Sequence, residues 1–250
     1  VVHLAAIAHR SGVSDDAYKA VNQHAPIALA KAAMTAGCQR FIFLSTAKIL
    51  GDTGRTLTDD NPANPPDAYA HAKRQAELGL AEIAANAPMD VISLRPPLIH
   101  GPNAQANMAR LVTLIQQGGV YSLPVPLGST RNQRSLISRD NLAAAIACVI
   151  EASIAKSGEY LIAEQPAVST GHIIRDLAQG MGRKAPLFAF PPALLRGLLT
   201  LMGKGSVADR LLGDFSLDDS RFRATFGWQT DQDTHQSLIA TGQAIGENDR

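Results

Sequence analysis

The residues best suited to chemistry in this 250-residue chain are a tyrosine and a lysine four positions apart, Tyr69 and Lys73. On a helix this spacing places both side chains on one face, one turn apart. Because a lysine ammonium stabilises a nearby phenolate, we expect the pKa of Tyr69 to fall from ~10 towards neutrality. Such a phenol can take a proton from a hydroxyl group or return one. Taken alone, Tyr-x-x-x-Lys is more typical of an ordinary surface helix.

A hydroxyl that could hold this phenol in place follows the preceding apolar run. Phe41-Ile42-Phe43-Leu44 is composed of strand-forming residues, and Ser45 and Thr46 come directly after it. Open α/β sheets bind their ligands outside the carboxyl ends of the strands. We therefore expect Thr46 or Ser45 to hydrogen-bond the Tyr69 oxygen there.

Short apolar runs alternate with alanine-rich stretches over residues 1–163. The predicted strands are Val1–Ala5, Arg40–Leu44, Val91–Leu94 and Tyr160–Ala163. The predicted helices are Ala25–Ala36 ending at Gly37, Tyr69–Ala85 capped by Asp67, and Asn141–Ala152 capped by Asp140. This alternation, with strands apolar at successive positions, predicts an α/β fold with a parallel sheet covered by helices on both faces.

The other segments are richer in glycine and proline, and from Ser169 onward they read as short helices. We expect them to form a small, mostly helical substrate-binding domain of residues 101–134 and 166–250. Residues 1–100 and 135–165 would then form the cofactor domain.

The composition excludes several partner classes. Net charge is +1 and the basic residues are scattered, so no nucleic-acid partner is predicted. The most apolar late stretch, Pro191–Gly203, is broken by Arg196 and is shorter than the ~20 residues of a membrane span. Cys38 and Cys148 form no Cys/His cluster, so we predict no metal site and interpret them as buried core thiols of a cytoplasmic protein.

Several short motifs follow one another in a fixed order. They are H-L-A-A from His3, Asn22, F-I-F-L-S-T from Phe41, G-D at Gly51, the Tyr69–Lys73 pair, L-R-P-P-L-I-H-G-P from Leu94 and R-S-L-I-S-R-D-N from Arg134. Over residues 1–163 this order resembles the extended short-chain dehydrogenase/reductases, in particular the UDP-glucose 4-epimerase-like members of the NAD-dependent epimerase/dehydratase family. The resemblance implies a Rossmann-like sheet.

The resemblance also implies a site for NAD (or NADP) and for a nucleoside-diphosphate sugar. The implied catalytic residues are Thr46, Tyr69 as acid/base, and Lys73. The implied cofactor-binding residues are Leu4, Ala5, Ala6, Asn22, Ser45, Tyr69, Lys73, Pro96 and Pro97. Asn107 and Arg134 are the implied ligands of the sugar diphosphate, a role for which the planar guanidinium is suited.

Plainer interpretations of these positions stay open. Asn22 could cap a turn, Asn107 could cap a helix, and Arg134 could pair with Asp140 on the surface. The histidines near the implied site, His3, His9 and His100, are interpreted as packing residues. Lys48 could contact a charged or amide-bearing sugar, and we interpret it instead as facing solvent.

The chain departs from the family at its start, because it contains no G-x-x-G-x-x-G turn to receive the cofactor pyrophosphate. We interpret it as N-terminally truncated, with the first βα units missing. As given, we expect it to bind NAD weakly or not at all, and to self-associate or be poorly soluble. A smaller departure is Leu98, which stands where the epimerases have asparagine.

The predicted function is an NAD-dependent nucleotide-sugar 4-epimerase, acting through a 4-keto sugar as a homodimer in surface-polysaccharide precursor synthesis. A 4-reductase or a dehydratase of the same family is the nearest alternative, since both use the same central residues. The more distant alternative is a non-catalytic binding or scaffold protein that lacks its cofactor half.

Overall fold

The computed structural model describes residues 1–8, 12–86, 88–102, 107–116, 124–153 and 156–248. Its strands are β1 (Val2–His3), β2 (Arg40–Leu44), β3 (Gly54–Leu57), β4 (Asp90–Arg95), β5 (Leu98–His100), β6 (Leu136–Ser138), β7 (Gly158–Leu161) and β8 (Phe215–Leu217). Its helices are α1 (Asp15–Tyr18), α2 (Ala25–Thr35), α3 (Ala68–Ala85), α4 (Asn107–Gln116), α5 (Arg139–Glu151), α6 (Thr170–Gly180), α7 (Pro192–Leu201), α8 (Gly205–Leu212), α9 (Ser220–Phe226) and α10 (Thr234–Asn248). A π-helical turn, Lys19–His24, joins α1 to α2.

The central sheet is parallel and has the strand order β1-β2-β4-β7. Its side chains alternate between two apolar layers. Phe41, Phe43 and Val91 pack against α2 and α3 on one face, whereas Ile42 and Ile92 pack against α5 and α9 on the other. The predicted α/β fold, a parallel sheet with helices on both faces, is therefore confirmed.

Three of the predicted strands have different bounds in the structure. β4, predicted as Val91–Leu94, extends from Asp90 to Arg95. β1 is limited to Val2–His3, because only these residues pair with β2. β7 begins at Gly158 and ends at Leu161, where its pairing with Arg95 of β4 stops.

The helix ends follow local hydrogen bonding. Asp67 accepts a hydrogen bond from the Ala70 amide at 2.8 Å, so the predicted cap of α3 is confirmed. The predicted cap of α5 is wrong. Ser138 has the extended backbone of a cap residue and accepts from the Asn141 amide at 3.1 Å, and Asp140 lies in the first helical turn.

Helices α4, α7 and α8, with β5 and β6, form a second apolar cluster around α6 and α10. Strands β3 and β8 pack instead on the segment after β2 and the start of α3. Helices α6 and α10 approach so closely at Gly242 that a Cβ atom there would collide with the backbone at Leu177. The glycine- and proline-rich segment of residues 101–134 contributes α4. The pairs β3–β8 and β5–β6 were not predicted, since strands of three or four residues carry little periodic signal.

Cys38 and Cys148 are free thiols at the margins of the core. Both are half-buried rather than fully buried, which corrects the interpretation of them as core thiols. Within the described ranges, no helix is both long and apolar enough to cross a membrane.

Candidate active site

The candidate site lies where β1, β2 and β4 reach their carboxyl ends. Parallel register places His3 beside Phe43 and Leu44 beside Leu94. Beyond the strands, Ser45 donates its amide to Leu94 O at 2.7 Å, and Ala47 donates to Pro96 O at 2.9 Å. The segments that follow the three strands therefore leave the sheet at one edge, near the start of α3.

Tyr69 meets the hydroxyl of Thr46 at this edge. The two side chains share a hydrogen bond, while the Thr46 Oγ1 atom also accepts the Lys48 amide at 3.2 Å. Tyr18 packs edge-on against the Tyr69 ring, with centroids 6.3 Å apart. Of the two hydroxyls proposed from the sequence, Thr46 is the one that reaches the phenol.

The expected fall in the pKa of Tyr69 is wrong for this structure. Burial raises the pKa of Tyr69 to about 12, and Asp67 and Tyr18 add to the rise, while the Thr46 hydrogen bond opposes it. Lys73 does not offset this effect, because its ammonium donates to Leu44 O at 2.7 Å and lies 4.4 Å from the Phe43 ring centroid. At neutral pH Tyr69 is thus a protonated phenol.

Lys73 is itself strongly perturbed by its surroundings. Its side chain is 1% exposed, and this burial lowers the pKa of Lys73 to about 8, against the opposing charge of Glu77. Burial and the Lys73 charge also lower the pKa of His3. A neutral His3 stacked on Phe43, with ring centroids 6.0 Å apart, fits the packing interpretation, although its Nε2 atom has no partner among the described residues.

A buried ion pair below Lys73 was not identified from the sequence. The Glu77 carboxylate accepts two bonds from Arg95, Nε–Oε1 at 2.9 Å and Nη2–Oε2 at 2.7 Å. Ser45, one of the residues implied to bind cofactor, donates its hydroxyl to Glu77 at 2.6 Å. The signal that could have found Glu77 is its position four residues after Lys73, which continues the Tyr69–Lys73 face of α3.

Asn22 fixes the segment that follows β1. Its fully buried side chain accepts the Ile7 amide at 2.9 Å and donates to Ile7 O at 2.8 Å. It therefore clamps a distant backbone rather than capping its own turn. The clamp fixes the segment of Leu4, Ala5 and Ala6, which are exposed and directly follow β1.

Of the two residues implied to hold the diphosphate, the structure describes the side chain of Arg134 but not that of Asn107. Arg134 is partly buried; its Nη1 atom lies 3.4 Å from Gly213 O and its guanidinium lies 5.8 Å from the Phe215 ring centroid. Burial lowers the pKa of Arg134, against the charges of Asp52 and Asp214. Within the described residues it makes no ion pair with Asp140, so that alternative is wrong. Asn107 begins α4, but its side chain lies outside the described residues.

Lys48 connects the site to the start of α3. Its ammonium pairs with Asp67, the cap of α3, and lies 3.8 Å from Asp52. The interpretation of Lys48 as simply facing solvent is therefore corrected. Asp52 also interacts electrostatically with Arg134. Asp67 at the start of α3 is therefore connected through Lys48 and Asp52 to Arg134, the residue implied to bind the diphosphate.

The other implied residues are placed as follows. Pro96 and Pro97 are buried directly after β4. His100 is a satisfied buried residue, hydrogen-bonded to Thr241 at 3.0 Å and to Glu164 at 3.3 Å. His9 lies outside the described residues.

This edge fits the nicotinamide half of a dinucleotide cofactor. Leu4, Ala5 and Ala6 present small or apolar, exposed side chains beside the strand ends, and Pro96 borders the same edge. Tyr69 supplies a phenol there, with the buried Lys73 ammonium one turn further along α3. Among the described residues, no cluster of three or more His, Cys, Asp or Glu side chains could hold a metal ion.

Comparison with known proteins gives the class. The family model described as NAD dependent epimerase/dehydratase matches residues 1–163. A UDP-glucose 4-epimerase of Vibrio cholerae is 35% identical over 258 residues, covering 98% of this chain and 76% of its own length. The short-chain dehydrogenase/reductase family 42E member 1 of Xenopus laevis is 28% identical, and the match covers 71% of this chain and 50% of that protein.

A similar fold is present in a UDP-glucuronic acid 4-epimerase from Bacillus cereus, solved in complex with NAD. It superposes with a TM-score of 0.76 at 19% identity, covering 98% of this chain and 72% of that one. The chain belongs to the NAD dependent epimerase/dehydratase family. The predicted family, and with it the prediction of an enzyme that uses a nicotinamide cofactor, is confirmed.

Proposed function

We propose that this protein is a nucleotide-sugar 4-epimerase that acts through a transient 4-keto sugar. The observation that carries the proposal is the Thr46–Tyr69 hydrogen bond at the carboxyl edge of the sheet, with Lys73 one turn further along α3. The 35% identity to a UDP-glucose 4-epimerase supports the substrate class. The role in surface-polysaccharide precursor synthesis, the cytoplasmic location and the homodimer stay predictions.

In this proposal, Tyr69 handles the proton of the sugar 4-hydroxyl. A bound nicotinamide supplies the acceptor and donor of the hydride at the sugar carbon. Thr46 holds the phenol oxygen by its hydrogen bond and so fixes the direction of proton transfer. Since burial keeps Tyr69 protonated, its use as a base requires positive charge nearer the phenol than Lys73 now stands.

Binding of the diphosphate is assigned to Arg134. Its guanidinium is oriented by Gly213 O and by the Phe215 ring, and a planar fork held in this way can bind phosphate oxygens in a bidentate manner. Burial strengthens such a contact, because the local dielectric is lower than in water.

The test is a product assay of the full-length protein with NAD and UDP-glucose deuterated at C4. The expected product is UDP-galactose that keeps its deuterium, without net accumulation of reduced cofactor, because the hydride returns to the carbon it left. Net cofactor turnover would instead indicate a reductase, and loss of water would indicate a dehydratase. Absence of any product from several nucleotide sugars would favour the scaffold alternative.

A further inference from the structure

Helix α7 carries an apolar face that the rest of the described chain leaves uncovered. Leu194, Leu198 and Leu201 follow one another at helical spacing and are 60%, 52% and 87% exposed, and Met202 directly after them is 65% exposed. The neighbouring face of the same helix, which includes Leu195, packs towards the second apolar cluster.

This face is unusual for the surface of the molecule. Leu201, Met202 and Leu194 are the three most exposed large hydrophobic side chains among the described residues. Apolar side chains grouped on one surface mark an interaction site more often than chance exposure does. In the segment that leads into α7, Phe188 is also exposed.

The segment that carries this face is rich in basic residues. Residues 177–208 contain four basic residues, Arg183, Lys184, Arg196 and Lys204, and no Asp or Glu, although the whole chain has a net charge of only +1. Arg196 is paired with Asp209 at 2.6 Å. Arg183, Lys184 and Lys204 are exposed in the same segment, and Lys204 comes two residues after Met202.

We propose that α7 lies on the surface of an anionic lipid membrane, with its exposed leucines inserted at the headgroup boundary and the flanking cations on the lipid phosphates. Apolar insertion combined with basic flanks is the pattern of interfacial helices. At ten residues, α7 is far too short to span the bilayer. A second copy of the chain fits this face less well, because two-fold packing would bring two basic surfaces together.

Sedimentation with lipid vesicles tests this proposal on the full-length protein. We expect binding to vesicles of equimolar phosphatidylglycerol and phosphatidylcholine, and little binding to phosphatidylcholine alone. Replacing Leu198→Ser and Leu201→Ser together should weaken binding at least ~10-fold, because less apolar area leaves water. Replacing Lys184→Gln and Lys204→Gln together should weaken it about 30-fold at low salt.

The matched control carries Leu29→Ser and Ile150→Ser, two exposed apolar residues on other helices, and should bind like the parent protein. Failure of the parent protein to sediment with the anionic vesicles would overturn the proposal, as would equal binding by the Leu198/Leu201 variant. Light scattering decides the remaining case. An oligomer that the Leu198/Leu201 variant disperses, without vesicle binding by the parent, would show that a second copy covers α7.

Discussion

Lys73 occupies a position where its charge opposes folding. Its ammonium is almost fully buried and is satisfied by one carbonyl, Leu44 O at 2.7 Å. Glu77, one turn further on, is already bound to Arg95 and Ser45. The lowered pKa of Lys73, about 8 instead of 10.5, reflects the net free-energy cost of burying its charge. A residue kept at such a cost to stability is typical of a functional site.

Lys73→Met should therefore stabilise the protein at pH 7 while it abolishes turnover. We expect a gain of about 2 kcal/mol in the free energy of unfolding, since a penalty of ~3 kcal/mol is removed and one hydrogen bond is lost. The folded lysine loses its proton above pH 8, whereas the unfolded one keeps it until about 10.5. The gain should shrink as the pH rises between these values. Urea unfolding at pH 7 and pH 10 measures the gain in stability and its decrease with pH. The exposed Lys184→Met is the control. A Lys73→Met variant less stable than the parent protein at pH 7 would contradict the expectation.

Arg134 is the residue that most directly tests diphosphate binding. Arg134→Ala should raise KM for the nucleotide sugar much more than it lowers kcat, because it removes binding that is equal in the ground and transition states. Arg131→Ala, an exposed arginine three positions earlier, is the matched control. If the two variants have the same KM, Arg134 does not bind the substrate.

The elements that position the site were predictable to different degrees. The common face of Tyr69 and Lys73 on α3 and the cap at Asp67 were predictable from the sequence. Both depend only on residues within a few positions of one another along the chain. The direction of Lys73 was not predictable, because it depends on the Leu44 carbonyl and the Phe43 ring of a strand that packs on α3 only in the folded chain. The Glu77–Arg95 pair was not predictable for the same reason, since Glu77 lies on α3 and Arg95 lies on β4. Strands β5, β6 and β8 are too short to show a period.

Asp67 tests how the start of α3 sets the position of Tyr69. Asp67→Asn keeps a good capping group but loses the ion pair with Lys48, whereas Asp67→Ala loses both. We expect Asp67→Ala to cost ~1 kcal/mol in stability and to lower kcat, with smaller changes for Asp67→Asn, because the half-exposed ion pair contributes little. Urea unfolding and steady-state kinetics make the comparison. Equal losses in both variants would mean that the ion pair, rather than the cap, holds the helix.

On the scale of the whole molecule, Glu164 joins elements distant in sequence. Its fully buried carboxylate accepts from the Ser138 amide at 2.8 Å, from Asn141 at 2.6 Å and from Ser237 at 2.6 Å, and lies 3.3 Å from His100. Burial alone would raise its pKa, but the hydrogen bonds from His100 and Ser237 outweigh burial and lower the pKa of Glu164. The central sheet and the α6–α10 pair are thus tied by one carboxylate. No local pattern predicts this tie.

Glu164→Gln should destabilise the whole molecule by about 3 kcal/mol, because the amide nitrogen that replaces one carboxylate oxygen can no longer accept the hydrogen bonds made to that oxygen. Since the folded pKa of Glu164 is lowered, its contribution is present above about pH 4.5 and is lost as the pH falls below that value. The variant should therefore show less loss of stability on acidification than the parent protein. Urea unfolding from pH 7 to pH 3 measures this, with exposed Glu82→Gln as the control. If the free energy of unfolding depends on pH in the same way in the variant and the parent protein, the Glu164 carboxylate does not stabilise the contact between the central sheet and the α6–α10 pair.

The central claim is that Tyr69, held by Thr46, moves the proton in the reaction. The most direct measurement is the steady-state rate of the full-length Tyr69→Phe variant with NAD and nucleotide sugar. Tyr160→Phe, which removes a phenol hydroxyl bound to Lys156 O away from the site, is the matched control. We predict that Tyr69→Phe lowers kcat by ~10²–10⁴ with KM nearly unchanged, while Tyr160→Phe keeps the parent rate. A Tyr69→Phe variant that turns over at the parent rate would contradict the account.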